Sequence, residues 1–570
     1  MRLFEDYAQR LEAKHGKFKG FDFREVDCSE VRKACMSLNN TPSLGTDQIP
    51  TIMIKQLSRE LAPYLSYLIN QIIRTGVFPD RWRQGIISPI FKNSGLRTVR
   101  TNYRPVTITN SLSKVFERVI DNQMRLYWWR HGVIDGSQHA YQAGKGTTSY
   151  WIDLMSKICL AKDSGKKASL SVFDLSSAFN LIQLDILKPK LLRIGFSEAA
   201  TNLFAETMTN RRLKVKIDGK YSEEVVTSTG SAEGGITSPG AFVFYLSDIA
   251  EVKHRVIKAG EEGIKTESAR LALKAGESAD NPVTQELIKI PNPGCEGGGY
   301  ADDNGWVCST DKEEELRALA WELDDQVMYY FQVQGMAANS SKTELVSLLN
   351  RFSRPMVVNE VKSQEIIKLL GIRMSDKLSF MAQAESVCQK ISNKLPSVVR
   401  LRGWASKDIL IKTADSLLGS HIRYLLEIYA GEARVVSLLQ KAQNRVMRAI
   451  LGKQLLDKMP VADMLAELKW VNIPCQVAFR SLYWIRKVDR EAMAKFTWSL
   501  LYTGQQKIIT RHWRLEVPFI SKSHATSNQF LSRSLYWYNR FQFYPDTIDF
   551  EEYKELALSR VISALGNGNV

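Results

Sequence analysis

The sequence predicts a mixed α+β body followed by a helical lobe. Three observations carry this. Short runs alternate apolar and polar residues, stretches with helical periodicity interleave with them, and beyond about residue 385 the strand signals fade while the helical ones continue. In chain order, Lys55 to Gly76 reads as an amphipathic helix. Leu57, Leu61, Leu65, Leu68 and Ile72 lie on one side of it, and Gly76 stops it. Leu112 to Arg130 reads as another. In "KKASLSVFDLSSAFNLI", Leu170, Val172 and Asp174 share one strand face, and Ser177 and Ala178 open a helix. "RRLKVKIDGKYSEEVV" is a hairpin: Leu213, Val215 and Ile217 alternate with Lys214 and Lys216, and Asp218-Gly219 is a favoured two-residue turn. Residues 258–298, with scattered glycines and a "PNPG" segment, read as a long surface excursion with one short helix. "CEGGGYADDNGWVC" reads as a tight hairpin with two aspartates at its tip. In "LLQKAQNRVMRAILGK", Leu439, Ala442, Val446 and Ala449 form one helical stripe, and Lys441, Arg445 and Arg448 form a second. A solvated face explains that basic stripe as readily as one that tracks phosphates. There is no internal repeat.

The chain of 570 residues is too long for one compact core, so several lobes or domains are expected. Its 77 Lys and Arg against 61 Asp and Glu leave a net charge of +16. Such an excess suits a polyanionic partner, with nucleic acid first, though a protein can be basic without one. The seven cysteines are irregularly spaced and form no C-x-x-C pair, which argues against a disulfide framework or a zinc knuckle and for a reducing, intracellular setting, cytoplasmic or nuclear. The N-terminus, "MRLFEDYAQRLEAKHGK", lacks the apolar core of a signal peptide, and no stretch has the length of a membrane span.

Two adjacent like charges on one hairpin need a reason, because carboxylates repel unless solvated or bridged by a cation. Asp174 ends an apolar strand. Alone it reads equally as a helix N-cap. Brought together, Asp174, Asp302 and Asp303 would present hard oxygen ligands of the kind that suit Mg²⁺, and two such ions can serve an in-line nucleotidyl displacement.

"FDLSSAF" followed by "YADD" resembles the catalytic core of reverse transcriptases, and the surrounding segments resemble the non-LTR, LINE-like branch. The segments occur in the expected order: "SLGTDQIP", "IISPIFKN", "NYRPVTITNSLSKVFERVI", "QHAYQAGKGTTS", "FDLSSAF", "AEGGITSPGAFVFYLSDI", "YADD", "NSSKTELV", "LLGIRMSDKLSF" and "LQKAQNRVMRAILG". "YADD" alone would be weak, but the ordered series is specific. It covers roughly residues 40 to 490. The resemblance implies a right-hand polymerase with fingers, a palm with an antiparallel sheet and a helical thumb. It implies an N-terminal extension 1–40, fingers over 41–165 with parts of 186–225, and a palm over 166–381. The palm would carry the insertion 258–298 and a primer-grip hairpin 366–381. A thumb over 385–500 and a tail 501–570 of unassigned role would follow.

The resemblance also implies roles. Asp174 and Asp302 would be the principal metal ligands, with Asp303 beside them and Leu175 offering its backbone carbonyl. The cofactor would be two Mg²⁺, with Mn²⁺ as a substitute. Tyr300 would pack near the primer terminus, though a hairpin aromatic in the core reads equally well. Phe179 would crowd the sugar 2′ carbon and reject ribonucleotides, where spacing alone would make it core. Lys92 and Arg104 would face the triphosphate, Glu233 and Gly234 would approach the incoming nucleotide, and Lys342 would protonate pyrophosphate. Gly371 would lie in the primer grip, and Lys441, Arg445 and Arg448 would track the nucleic-acid backbone. The partners implied are an RNA template, a DNA primer or RNA/DNA hybrid, dNTPs, and an endonuclease supplied separately. Family members usually carry Gln where this chain has Glu233, and Asp is common where it has Asn180. These departures motivate an alternative, a catalytically inactive scaffold that binds nucleic acid. An RNA-directed RNA polymerase is opposed by Phe179 and "YADD". The segment with Arg533, Tyr536, Trp537, Tyr538, Arg540, Phe541, Phe543 and Tyr544 reads as core or as a stacking surface for single-stranded RNA.

Overall fold

The computed structural model describes residues 1–490 apart from 94, 176–177, 339–341, 350–354, 454–456 and 458, together with 557–559 and 561. The aromatic segment at 533–544 lies outside the described residues. The fold is mixed helix and sheet. Its strands in chain order are β1 (Gln84–Phe91), β2 (Tyr103–Thr109), β3 (Lys167–Phe173), β4 (Arg211–Ile217), β5 (Lys220–Tyr221), β6 (Val225–Thr227), β7 (Ile264–Lys265), β8 (Leu287–Ile288), β9 (Gly294–Tyr300), β10 (Asp303–Thr310), β11 (Glu344–Ser347), β12 (Val357–Val358), β13 (Val361–Lys362), β14 (Ile366–Leu369) and β15 (Ile372–Ser375). The chain forms two compact units: Met1–Tyr141 with Asp174–Val256 and Leu323–Ser341, and Gln142–Phe173 with Ile257–Glu322 and Lys342–Val570.

In the first unit the strands run in the order β2-β1-β4-β5, with β6 also on β4. The Asp218-Gly219 turn joins β4 to β5 with φ of 49° and 81°, the left-handed pair a tight hairpin requires. The helix Ser111–Arg130 buries Val115, Phe116, Val119, Ile120 and Met124. The predicted helix at 55–76 is two helices, Thr51–Gln56 and Ser58–Thr75, which meet at Leu57. Its buried stripe is Ala62, Leu65, Ile69 and Ile72, whereas Leu57 and Leu68 are exposed, so the predicted face is rotated by about one residue. Gly76 ends the helix at φ 69° as expected. The chain after Asp174 forms a 3-10 turn, Ala178–Leu181, in place of the predicted helix.

The N-terminal helix Arg2–His15 is integral to this unit. It buries Leu3, Phe4, Tyr7, Ala8 and Leu11, and Phe4 meets Phe244 edge to face at 6.0 Å. Arg193 forks to Glu5 at 2.6 and 2.9 Å and to Glu12 at 3.3 and 3.0 Å, while Arg10 grips Glu251 at 2.9 and 2.6 Å. Beneath lies a fully buried lysine. Lys190 Nζ donates to Tyr245 O at 2.6 Å, Asp248 Oδ1 at 2.7 Å and Gln334 Oε1 at 3.0 Å, using all three donors of the ammonium. Only such complete pairing lets a charged lysine stay where water cannot reach it.

The second unit is built on an antiparallel sheet in the order β11-β3-β10-β9. Ala168 to Phe173 are all buried, so both faces of β3 are covered and Leu170 and Val172 do not mark one core face. The helix Thr147–Asp163 is buried almost all round. One continuous core links it to the sheet and to the helices that follow β15, through residues such as Trp151, Leu170, Phe380, Leu439 and Val446. In the helix Ala433–Leu451 the buried stripe ends on Met447 and Ile450, while Ala449 is only partly buried.

The stretch 258–298 is more ordered than a surface excursion. β7 pairs with β8, Thr266 caps the helix Glu267–Lys274, and Arg270 meets Glu322 at 2.7 Å. Its last residues, Gly294–Gly298, belong to β9 within the sheet. The glycines there are packing glycines. A Cβ on Gly297 would lie 2.6 Å from the Trp306 ring across the pair.

Removing the Phe4 ring tests the role of the N-terminal helix. Phe4→Ala is expected to cost about 3–5 kcal/mol. Urea unfolding followed by tryptophan fluorescence reads it, and a loss under about 1 kcal/mol would show the helix to be dispensable.

Candidate active site

The acidic pair is set by a two-residue turn in the second unit. Tyr300 pairs with Asp303, and Ala301 and Asp302 close the turn between β9 and β10. Ala301 sits at φ 58°, a left-handed conformation uncommon for a residue with a Cβ. Asp302 and Asp303 are half-buried, and the buried Asn304 donates from Nδ2 to Asp302 O at 3.1 Å. On the neighbouring strand the register places Phe173 opposite Asn304. Asp174 is the next residue along the chain after Phe173. Among the described residues no group of three or more His, Cys, Asp or Glu side chains is arranged to hold a metal ion. A Mg²⁺ site needs no such cage, since it ordinarily takes one or two carboxylates and completes its shell with water and substrate phosphates. Half-exposed carboxylates at the end of a buried strand pair fit that pattern.

The helix Thr147–Asp163 supports the hairpin from below. Lys157 Nζ donates to Gly297 O at 2.8 Å and to Asp153 Oδ2 at 2.7 Å. The Tyr150 hydroxyl stands where a Cβ on Gly305 would lie, at 2.5 Å, and its ring meets Tyr300 edge to face at 6.4 Å. Burial drives the Tyr150 phenol far above its ordinary pKa, and the charges of Asp303 and Asp153 push it further. β14 and β15 form a second hairpin whose turn, Leu370-Gly371, has φ of 45° and 80°. Tyr424 holds it through a 3.0 Å bond to Leu370 O. Lys342 is exposed. Lys441 and Arg445 are exposed and Arg448 is half-buried on the helix Ala433–Leu451.

The first unit gathers a second group of the predicted residues. Phe179 is half-buried, 4.9 Å from the Phe242 ring, and its carbonyl accepts from Ser231 N at 2.8 Å. Leu175 is buried and bridges to Ala338. Glu233 O accepts from Thr107 N at 2.6 Å. Gly234 is at φ 118°, and a Cβ there would fall 2.5 Å from Thr107 O. The two residues that depart from the expected pattern meet each other, with Asn180 Nδ2 donating to Glu233 Oε1 at 3.3 Å. In the β1–β2 hairpin, Arg104 lies opposite Ile90, and Lys92 N donates to Asn102 O at 2.8 Å. Strand alternation puts Lys92 and Arg104 on the same face of that hairpin. Both are exposed, and Lys92 Nζ donates to Thr101 O at 2.9 Å.

Sequence reading missed Glu117. It is buried on the helix Ser111–Arg130 and accepts from Ile236 N at 2.7 Å and from Ser113 Oγ at 3.1 Å. Burial pushes its carboxyl up, while those hydrogen bonds and Lys114 pull it back. An acid set between Phe116 and Ile120, on the apolar stripe of a helix, was the available signal.

Two adjacent aspartates thus stand at the tip of the β9–β10 hairpin, and the strand paired with β10 runs on in sequence to Asp174. The reverse transcriptase (RNA-dependent DNA polymerase) family matches residues 90–374, half of the chain, and the chain belongs to that family. The chain is 26% identical over 439 residues to the probable RNA-directed DNA polymerase from transposon X-element of Drosophila melanogaster, covering 74% of this chain and 44% of that protein. It is 21% identical over 438 residues to the RNA-directed DNA polymerase from mobile element jockey of the same species, covering 75% of this chain and 44% of that one. The chain thus spans less than half the length of the curated relatives it matches. These transposon relatives are of the LINE-like kind the motifs resemble. An apo telomerase from Candida tropicalis, truncated from its C-terminal domain, aligns over 56% of this chain and 59% of its own at 12% identity with a TM-score of 0.32, too low to inform the fold. Among the described residues no helix is long and apolar enough to cross a membrane.

The packing under the hairpin yields a prediction. Gly305→Ala forces a Cβ against the Tyr150 hydroxyl and should cost about 1–3 kcal/mol. Tyr150→Phe should recover most of that loss in the double variant, read as a coupling in a thermal-unfolding cycle. Strictly additive losses would mean the two positions do not contend for the same space.

Proposed function

We propose that the chain is an RNA-directed DNA polymerase that copies RNA into cDNA by two-metal nucleotidyl transfer, with a right-hand arrangement of fingers, palm and thumb over the limits given above. Its setting is intracellular. What supports this, beyond family membership, is one observation: the strand that continues into Asp174 is in register with the hairpin that carries Asp302 and Asp303. Asp174, Asp302 and Asp303, with the Leu175 carbonyl, would hold two Mg²⁺, or Mn²⁺ in their place. When bound, the ions supply Lewis acidity for the primer hydroxyl and the departing pyrophosphate.

The chain's own residues do the rest. Lys92 and Arg104 balance charge on the triphosphate, and Lys342 donates a proton to pyrophosphate. Gly234 lets backbone approach the nucleotide, and the Phe179 ring blocks a 2′ hydroxyl. Tyr300 packs near the primer end, Gly371 lies in the primer grip, and Lys441, Arg445 and Arg448 follow phosphates. The partners are an RNA template, a DNA primer or RNA/DNA hybrid, and dNTPs. The alternative is an inactive scaffold. The Asn180–Glu233 contact weighs against it, because the amide answers the carboxylate that the Glu233 substitution introduces.

Extension of oligo(dT) on poly(rA) with dTTP tests the reading. Wild-type extension that falls to background in Asp302→Ala supports it. Extension that survives the substitution, or tight RNA binding with no extension in Mg²⁺ or Mn²⁺, sinks it. Phe179→Ala should raise ribonucleotide use relative to dTTP by roughly tenfold or more.

The paired departures give a separate expectation. Asn180→Asp alone sets two carboxylates together and should lower extension. Asn180→Asp combined with Glu233→Gln should restore it, with a coupling of about 1 kcal/mol. A double variant no better than the worse single one would show the pairing to be incidental.

A further inference from the structure

The turn that carries Glu233 and Gly234 is clamped at both ends by buried charged residues of opposite sign. At its far end Glu117, 6% exposed, takes the amides of Ile236 at 2.7 Å and Thr237 at 3.5 Å. Those amides lead into the helix Ser238–Tyr245. At its near end Arg211, 7% exposed and the first residue of β4, donates to Thr229 O at 2.8 Å and Gly230 O at 3.1 Å. It also holds Met208 O at 3.2 Å. A cavity of about 20 Å³ is lined by Glu117, Arg211 and Thr237 together, room for about one water. Two titratable groups so deeply buried are costly unless they are hydrogen-bonded. Here main chain of the same turn meets both, the acid through the Ile236 and Thr237 N–H groups and the base through the Thr229 and Gly230 carbonyls, while Ser113 Oγ and Met208 O complete the contacts named above. The charged groups facing Glu117 are Lys114 and Arg211.

A turn of this composition has little rigidity of its own. Gly234 and Gly235 leave the backbone free, and Gly230 and Gly234 both adopt left-handed φ. Between the clamped ends, Glu233 O is fixed to Thr107 N, and Gly234 lies against Thr107 O. We propose that Glu117 and Arg211 are positioning residues for nucleotide binding. Neither touches substrate, and together they set where the Glu233–Gly234 backbone stands to receive the incoming nucleotide. The inference rests on the polymerase reading for its function but on the clamp's own contacts for its structure.

The test uses the full chain with Glu117→Gln, Glu117→Ala and Arg211→Ala. It reads KM for dTTP, kcat, primer–template Kd, and amide hydrogen exchange at Ile236 and Thr237. Losing hydrogen bonds to a buried charge should raise KM in Glu117→Ala by ~10-fold or more, with kcat and duplex Kd changed by less than about threefold. Arg211→Ala should do the same, and Glu117→Gln, which keeps one acceptor oxygen, should fall between Glu117→Ala and wild type. Exchange at the two amides should quicken by ~10-fold or more in Glu117→Ala. Unchanged KM, or KM, kcat and duplex binding worsening in parallel, overturns the proposal. If Glu117→Ala does not fold, Glu117→Gln decides by the same split. If the wild-type chain extends no primer, the polymerase reading fails by itself. The exchange measurement still judges the clamp, and amides that stay protected in Glu117→Ala refute it.

Discussion

The register between β3 and β10 is the constraint on which the second unit depends. Seven residue pairs, from Lys167 opposite Thr310 to Phe173 opposite Asn304, lock the strands antiparallel. Almost every side chain along both is buried, so a slip by one residue would turn each of them to the wrong side. That locking fixes where the strands end. Tyr300, Asp302 and Asp303 therefore occur at a determined height, and the chain reaches Asp174 at the corresponding end of β3. Two glycines permit the arrangement, Gly297 beneath the Trp306 ring and Gly305 against the Tyr150 hydroxyl. The acidic tip is thus the outcome of packing that begins several residues beneath it.

Much of this was legible in the sequence, and the reasons are local. Asp218-Gly219 announces its turn because the two residues tolerate left-handed φ. Gly76 marks its helix end for the same reason. The acidic hairpin was legible from two like charges placed between apolar runs. What escaped was set by distant partners. The packing role of Gly297 was not legible because its reason for being small is the Trp306 ring on another strand. The phase of the helix Ser58–Thr75 was misjudged because Leu57 and Leu68 are exposed despite their chemistry. Glu117 was passed over since the amides that justify it lie more than a hundred residues downstream.

The two units handle buried charge in one way. Lys190 with Asp248, Glu117 with backbone amides, and Lys157 with Asp153 and Gly297 O each meet polar partners inside the fold. Such contacts add less stability than apolar packing, but they strongly penalise any arrangement that breaks them. The Asn180–Glu233 contact carries the same point to the surface, where a carboxylate that looks misplaced in one dimension has an amide beside it in three.

Gly234 has a consequence for descent. With φ at 118° and the Thr107 carbonyl 2.5 Å from where a Cβ would stand, the position has no tolerant neighbour in the genetic code. Every single-base change that alters a glycine codon installs a side chain or a stop. In any gene copy that drifts without selection, this codon works as a clock with one tick: a copy that still encodes glycine here has not yet suffered the first such hit.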